Sequence, residues 1–161
     1  MTPVADRVFL HGLGSSSRGT KATWFRNHFP DMLIPDLVGG LDERLRDVRR
    51  LLAGREDLIM VGSSFGGLVA TVYALENEHQ LAKVILLAPA LNHPDFAGYR
   101  GRKTTVPASL FIGRMDGTCP PETVVPAALE TFTNLMVHES DDDHLLRATF
   151  PEIDWHGLLA F

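Results

Sequence analysis

The chain has 161 residues, of which 45% are hydrophobic and 22% are charged, and its formal net charge at pH 7 is −5. A chain of this length buries about 70% of the surface that its unfolded form exposes, which predicts one packed core and a single domain over residues 1–161. The acidic balance argues against nucleic acid as a partner, because nonspecific binding to nucleic acid needs a basic surface.

Six short apolar runs recur along the chain and are separated by longer segments. Their apolar character is continuous rather than alternating, which is typical of strands buried on both faces of a parallel sheet. The predicted strands are Arg7–Leu10, Met32–Pro35, Leu58–Gly62, Lys83–Ala88, Ala108–Ile112 and Asn134–His138.

The segments between these runs supply helices. One helix is marked by four apolar residues at helical spacing, Leu41, Leu45, Val48 and Leu52. The other predicted helices are Phe65–Glu78, a helix from Pro121 to about Phe132, and one that begins near His144 and continues past Pro151 to the C-terminus. This alternation predicts a three-layer α/β/α domain with a mostly parallel sheet of about six strands. In such sheets the functional groups gather at the carboxyl ends of the strands.

The first predicted strand is followed by a glycine-containing loop, His11-Gly12-Leu13-Gly14. The two glycines allow a tight turn that can present amide N–H groups to a neighbouring loop. Two nucleotide-binding motifs do not fit this loop. The GxGxxG motif needs glycine at Ser17, and the GxxxxGK motif needs lysine at Thr20 rather than at Lys21.

The third predicted strand leads into Gly62-Ser63-Ser64-Phe65-Gly66, a GxSxG pattern placed between a strand and a helix. In this context the central serine sits on a sharp, strained turn that raises its hydroxyl clear of the sheet. Side chains two residues before and after the serine would collide, so both positions favour glycine. Ser63 lacks glycine at the same offsets. The pattern therefore predicts Ser64 as a nucleophile.

A nucleophilic serine needs two N–H donors aimed at the developing oxyanion. The residue after the nucleophile supplies one donor, and the loop after the first strand supplies the other. The sequence therefore predicts the amides of Leu13 and Phe65 as the oxyanion hole.

The serine also needs a base and an acidic group that orients the base. Asp116 lies in the turn after the strand Ala108–Ile112, where the acid is expected, although a loop aspartate is often a simple turn former. The three aspartates next to His144 are alternative acids: Asp141, Asp142 and Asp143.

His144 follows the last predicted strand, where the base is expected. Nearby carboxylates tend to raise the proton affinity of an imidazole. His138 and His156 are the alternatives. The first is at a strand end and the second is beside Trp155, where a packing role is expected.

These four motifs resemble, in content and order, the α/β-hydrolase superfamily. By that resemblance Ser64, Asp116 and His144 match the family's nucleophile, acid and base, and Leu13 and Phe65 match its oxyanion positions. The stretch Phe9–Ser16, together with Lys21-Ala22-Thr23, resembles a small, cap-less bacterial esterase-like branch. The resemblance implies a minimal α/β-hydrolase fold that lacks the leading hairpin.

The segment between Pro89 and Pro107 is too short for the cap or lid that larger members of the superfamily insert there. An open, shallow site follows as an expectation. Four residues are predicted to contact substrate, namely His11, Leu91, Phe96 and Tyr99. A basic cluster, Arg100, Arg102 and Lys103, is either solvated or positioned to recognise an acidic substrate.

The function predicted from these residues is hydrolysis of a small carboxylic ester or thioester through an acyl-enzyme, with amide and lactone hydrolysis as alternatives. No metal or organic cofactor is expected, since the sequence shows no metal-ligand spacing such as HExxH. The alternative is a non-catalytic protein of the same fold that holds a small ligand or a protein partner.

The location predicted from the sequence is cytoplasmic, without a membrane partner. The N-terminus lacks the basic start and apolar run of a secretory signal, and the apolar runs are too short to cross a bilayer. Cys119 is the single cysteine, so the sequence offers no intrachain disulfide.

Overall fold

Five of the apolar runs form a parallel sheet whose spatial order, β1-β2-β3-β4-β5, is also the order of the strands in the chain. The computed structural model describes residues 6–161. The strands are β1 (Arg7–Leu10), β2 (Leu58–Ser63), β3 (Leu81–Leu87), β4 (Ala108–Gly113) and β5 (Leu135–Ser140).

Helices cover both faces of this sheet. The α-helices are α1 (Thr20–His28), α2 (Leu41–Leu52), α3 (Phe65–Glu76), α4 (Pro121–Thr131) and α5 (Trp155–Leu158). Three short 3₁₀ helices add Glu78–Gln80, Pro94–Tyr99 and Phe150–Glu152. From residue 6 to residue 161, no helix combines the length and apolarity needed to cross a bilayer.

The sixth predicted strand, Met32–Pro35, lies beside β1 but makes only one bridge, between Leu33 and Val8. Phe9 donates its N–H to the Leu33 carbonyl over 2.9 Å, and Leu33 donates to the Arg7 carbonyl over 2.8 Å. Pro35 has no N–H to donate, so the ladder stops there. The predicted sheet of about six strands is thus five strands and one edge segment.

The sheet separates two apolar layers, because successive side chains of a strand point to opposite faces. In β1, Val8 and Leu10 belong to the layer under α2, α3 and α4, whereas Phe9 belongs to the layer under α1 and the C-terminal segment. All three side chains are almost completely buried. The predicted three-layer α/β/α architecture is confirmed.

Three predicted helices are present as α2, α3 and α4, whereas α1 was not predicted and the last helix was predicted wrongly. Only Ala22 and Phe25 of α1 are buried, so its apolar pattern is weak. The chain after His144 runs through turns and a 3₁₀ helix before α5 begins at Trp155. Pro151 is one reason, since proline cannot donate the backbone hydrogen bond of a helix interior.

Candidate active site

Ser64 occupies the turn between β2 and α3 with φ 55° and ψ −118°. This left-handed backbone geometry is unfavourable for a residue with a Cβ. Four backbone hydrogen bonds hold it. Ser64 donates its N–H to the Leu87 carbonyl over 2.9 Å, and its own carbonyl accepts from Gly67 and Ala90, each over 2.9 Å, and from Leu68 over 3.3 Å. The strand β3 and the following loop therefore fix the serine in its strained position.

Close backbone packing explains the glycines around Ser64. A Cβ on Gly62 would lie 2.4 Å from the carbonyl oxygen of Gly66, and a Cβ on Gly66 would lie 2.0 Å from that of Leu10. Both distances are far inside van der Waals contact, so the turn cannot form with larger residues. Gly12 also approaches the turn, since its Cβ would be 3.3 Å from the Ser64 Cβ.

The Ser64 hydroxyl is hydrogen-bonded to His144, with 3.0 Å between Oγ and Nε2. The Nδ1 of the same ring is 2.8 Å from Oδ2 of Asp116. A carboxylate accepts, so Nδ1 carries the proton and Nε2 presents its lone pair to the serine. The structure thus brings together Ser64, His144 and Asp116, which lie on three separate loops.

The Asp116 side chain is fully buried, and its second oxygen is also engaged. Oδ1 accepts from the backbone N–H groups of Thr118 over 2.9 Å and of Cys119 over 2.7 Å. These bonds fix the carboxylate, which in turn fixes the ring of His144.

The alternative acids make other contacts. Asp141 pairs with Arg114 over 2.6 Å and is exposed. Asp143 accepts from the N–H of Leu145 over 3.0 Å. None of these carboxylates bonds to the His144 ring in the part of the chain that the structure describes.

The alternative histidines lie elsewhere. The His138 ring stacks on Phe111, with 4.5 Å between ring centroids and 9° between planes. His156 packs against Phe29 at 5.0 Å. Neither contacts Ser64.

Asp142 is buried and shapes the loop that carries His144. Its Oδ2 accepts from the N–H groups of Ala148 and Thr149 and from the Thr149 hydroxyl, over 2.8 to 3.1 Å. Its Oδ1 accepts from the N–H of Asp143 over 2.9 Å. Burial alone would raise the pKa of Asp142, but these hydrogen bonds outweigh it and hold the pKa below its usual range.

Leu13 and Phe65, whose amides are predicted to form the oxyanion hole, both line the cleft together with Ser64. Phe65 is the first residue of α3, where a backbone N–H has no partner within the helix. Leu13 follows Gly12, whose backbone packs on Ser64. Over residues 6–161 neither amide donates to a backbone carbonyl, so both N–H groups are available to a ligand.

These groups line a cleft of about 650 Å³. The cleft is lined by the loop after β1, the first turn of α1 and Leu145, and also by Ala90, Asn92, His93, Pro94, Thr118 and Cys119. Three predicted wall residues were assigned wrongly. Leu91 and Phe96 are buried in the core below α3, and Tyr99 packs half-buried against that core. Apolar side chains gain more by leaving water completely than by lining an open cleft.

His11 lines the cleft, but its ring holds the loop together rather than offering a free polar atom to substrate. Its Nδ1 is 2.8 Å from the Gly12 carbonyl, so it donates there. Its Nε2 accepts from the N–H of Leu37 over 2.9 Å. Both ring nitrogens are therefore occupied, which leaves only the surface of the ring for the predicted contact with substrate.

The basic cluster does not face the cleft. Arg100 pairs with Glu130 over 2.7 Å, and Lys103 donates to the Glu130 carbonyl over 2.8 Å. Arg102 lies over the Tyr99 ring at 5.7 Å. These contacts direct the cluster toward α4 and Tyr99, so recognition of an acidic substrate by this cluster is not supported.

Sequence reasoning missed several residues that line the cleft, among them Lys21, Asn92, His93, Cys119 and Leu145. Only the tertiary packing of separate loops brings them together. Burial and the nearby Asp116 carboxylate raise the pKa of the Cys119 thiol to about 11, so this thiol remains protonated at neutral pH.

Comparison of the sequence with known protein families identifies a hydrolase family that this chain matches. A family model described as serine aminopeptidase, S33, matches residues 10–97, more than half of the chain, and the matched range includes Ser64. The chain belongs to this S33 family. The predicted resemblance to α/β hydrolases is thereby confirmed, and the S33 assignment makes the protein a hydrolase. No curated protein matches the sequence significantly.

Solved α/β hydrolases share the fold of this S33 hydrolase at low sequence identity. Mouse α/β hydrolase domain-containing protein 10 superposes with a TM-score of 0.72 and 17% identity, over 92% of this chain and 85% of the mouse chain. Carboxylesterase CesB (YbfK) from Bacillus subtilis gives 0.69 and 16%, over 100% and 84%. The monoacylglycerol lipase of Paleococcus ferrophilus gives 0.70 and 16%, over 94% and 93%. Likeness at this level of identity shows the fold alone.

Proposed function

We propose that this S33 hydrolase cleaves carboxylic esters or thioesters of small molecules through an acyl-enzyme on Ser64. The observation that supports the proposal is the continuous hydrogen-bonded series from Ser64 through His144 to Asp116 at the base of the cleft. Each member has the partner that nucleophilic catalysis requires of it.

In the first half-reaction the Ser64 oxygen attacks the substrate carbonyl while His144 Nε2 takes the hydroxyl proton. Asp116 stabilises the resulting imidazolium and keeps it oriented. The amides of Leu13 and Phe65 donate to the oxyanion. Collapse of the intermediate breaks the bond to the leaving alcohol or thiol, which receives the proton from His144.

In the second half-reaction water attacks the acyl-enzyme. His144 takes a proton from the water and returns it to the Ser64 oxygen as the acid departs. The products are a carboxylic acid and the alcohol or thiol released earlier. The serine is regenerated.

The name of the family, serine aminopeptidase, makes aminopeptidase activity a second candidate. An aminopeptidase holds the ammonium of its substrate, which a carboxylate side chain does best. The cleft of this protein instead contains the Lys21 side chain, whose ammonium repels a second cation. This charge favours an ester or thioester over a peptide with a free N-terminus.

Intact-mass measurement after exposure to a fluorophosphonate tests the proposal. We expect one adduct on the native protein and none on Ser64→Ala, because only an activated serine with an oxyanion hole reacts rapidly. Ser63→Ala is the matched control, since Ser63 also lines the cleft, and it should still form the adduct.

A folded native protein that forms no adduct and hydrolyses no short-chain ester or thioester would contradict the proposal. The alternative of a non-catalytic binding protein would then account for the cleft. Ligand binding that is equal in the native protein and in Ser64→Ala would support that alternative.

A further inference from the structure

One cationic residue lines the cleft, although the molecule as a whole is acidic. The chain contains 20 acidic and 15 basic residues, with a net charge of −5. Of the lysine, arginine, aspartate and glutamate side chains within residues 6–161, only that of Lys21 lines the cleft. A single cation in a partly apolar cleft selects against other cations and for an anionic group.

The ammonium of Lys21 makes one hydrogen bond to the protein and keeps further N–H donors for a ligand. Its Nζ donates to the Leu145 carbonyl over 2.8 Å, and it lies 5.8 Å from the centre of the Phe150 ring. An ammonium has three N–H donors, so two remain for a ligand.

Partial burial strengthens any ion pair that this group forms. Burial lowers the pKa of Lys21 from its usual range, and the nearby Arg147 acts in the same direction, whereas the carboxylates of Asp142 and Asp143 act in the opposite direction. Both carboxylates are already bound by backbone N–H groups of their own loop. A partly dehydrated ammonium attracts an anion more strongly than an exposed one.

The hydrogen bond of Lys21 to the loop that carries His144 favours contact with the leaving half of a substrate. His144 must give its proton to the leaving group, so the leaving group lies beside His144. Lys21 is bonded to the carbonyl of Leu145, the next residue in the chain. The exposed Leu145 side chain and Ala22 line the same cleft as Lys21.

We infer that the leaving alcohol or thiol of the substrate carries an anionic group, a carboxylate or a phosphate, that pairs with Lys21. This inference rests on the proposed ester or thioester hydrolysis. In the reaction the bond between the acyl carbon and the leaving oxygen or sulfur breaks, the bond to Ser64 Oγ forms, and the proton passes through His144. The anionic group is not altered. It orients the leaving group and contributes to kcat/KM.

Matched substrates separate the charge from other properties. Methyl 4-acetoxybenzoate has a neutral leaving group, 4-acetoxybenzoate has the same leaving group with a carboxylate, and 4-acetoxyphenyl phosphate carries a phosphate. Monophenyl succinate carries a carboxylate in its acyl half, and phenyl butyrate is the matched ester without that carboxylate. The value of kcat/KM for each is compared between the native protein and the variants Lys21→Met and Lys21→Arg.

We expect Lys21→Met to lower kcat/KM for the substrates with a charged leaving group about tenfold more than for the neutral one, as for loss of a partly buried ion pair. Lys21→Arg keeps the charge and should restore most of the difference. Lys103→Met removes a lysine that bonds Glu130 outside the cleft and should leave every ratio unchanged. The charged leaving group, carboxylate or phosphate, whose kcat/KM falls more in Lys21→Met is the anion that Lys21 recognises better.

Three outcomes would overturn the inference. If Lys21→Met lowers kcat/KM equally for all substrates, Lys21 only positions Leu145 and its loop. If the effect follows the carboxylate of monophenyl succinate, the anion belongs to the acyl half. If the native protein hydrolyses none of these esters and forms no fluorophosphonate adduct, the proposed function itself has failed.

Discussion

Asp116 uses its two oxygens for different purposes. Backbone amides of Thr118 and Cys119 hold Oδ1, which leaves Oδ2 for the Nδ1–H of His144. An asparagine at this position would keep the amide oxygen on the backbone donors and turn its NH₂ toward His144. The ring would then accept at Nδ1 and carry its proton on Nε2, where it could not receive the serine proton.

Asp116→Asn should therefore lower kcat by about 10³- to 10⁴-fold while the urea midpoint of unfolding changes little. Ester hydrolysis and equilibrium unfolding measure the two quantities. Asp143→Asn is the control, since Asp143 neighbours His144 in sequence but bonds the N–H of Leu145. An equal or larger loss of kcat in Asp143→Asn would contradict the assignment of the acid to Asp116.

At the residue level, sequence patterns were sufficient wherever a chemical requirement was local. The glycines at 62 and 66 mark Ser64 because the turn leaves no space for a Cβ. The residues that line the cleft could not be predicted in this way. Leu91 and Phe96 were expected in the cleft and lie in the core, since the direction of a side chain in an irregular segment depends on packing that the sequence does not display.

The loop after β5 depends on one buried carboxylate. The four hydrogen bonds of Asp142 fold residues 142–149 into the shape that presents His144. Because the pKa of Asp142 is lowered in the folded state, its charge stabilises the fold above the pKa of an unfolded aspartate, about 3.9. That contribution is lost as the pH falls through the lower pKa of the folded state.

Asp142→Asn should lower the free energy of unfolding by about 2 kcal/mol at pH 7, because it places an NH₂ group against buried donors. The difference from the native protein should begin to shrink below about pH 4, where the aspartate of the unfolded chain takes up a proton, and should be smallest below the lower pKa of the folded state. Urea unfolding at both pH values tests this. Asp141→Asn changes an exposed carboxylate of the same loop and should leave the midpoint unchanged. A difference that is constant with pH would contradict the account.

The turn between β2 and α3 depends on close backbone packing. Gly66→Ala would force a Cβ to within 2.0 Å of the Leu10 carbonyl oxygen. We expect a loss of about 3 kcal/mol in the free energy of unfolding, or failure to fold. Gly98→Ala is the control, because a Cβ there meets nothing within 4 Å. Equal stability of the two variants would show that the turn can adjust.

At the level of elements, continuous apolar runs predicted β1 to β4 because both faces of the sheet are covered there. The edge strand β5 is only half-buried or exposed. The same criterion failed for α1, which buries only Ala22 and Phe25, and for Met32–Pro35, which is apolar enough for a strand but ends at a proline. The single turn α5 is held by tertiary contacts. Trp155 packs on Phe25 and donates its ring N–H to the Phe150 carbonyl over 3.1 Å.

The whole molecule has two apolar layers, and the sheet belongs to both. Trp155 lies in the layer that α1 covers, and Trp24, a residue of α1, packs against the same layer. The α-helices on the other side, α2, α3 and α4, contribute most of the helical residues. Tryptophan fluorescence therefore reports on one layer, and far-ultraviolet circular dichroism mainly on the other.

Because each strand contributes side chains to both layers, we expect the two signals to change together in urea, with one midpoint. This behaviour is also the expectation for a single domain over residues 1–161. Loss of fluorescence at a lower urea concentration than loss of ellipticity would contradict it, and would show that the layer under α1 unfolds separately.

The agreement between strand order in the sheet and strand order in the chain has a consequence for synthesis. A chain that emerges from a ribosome can extend its sheet one strand at a time, because every new strand pairs with its immediate predecessor. Ser64 follows the second strand, whereas Asp116 and His144 follow the fourth and the fifth. The proposed nucleophile is therefore made early and its proposed base late, so we expect a nascent chain to become reactive only after β5 has docked.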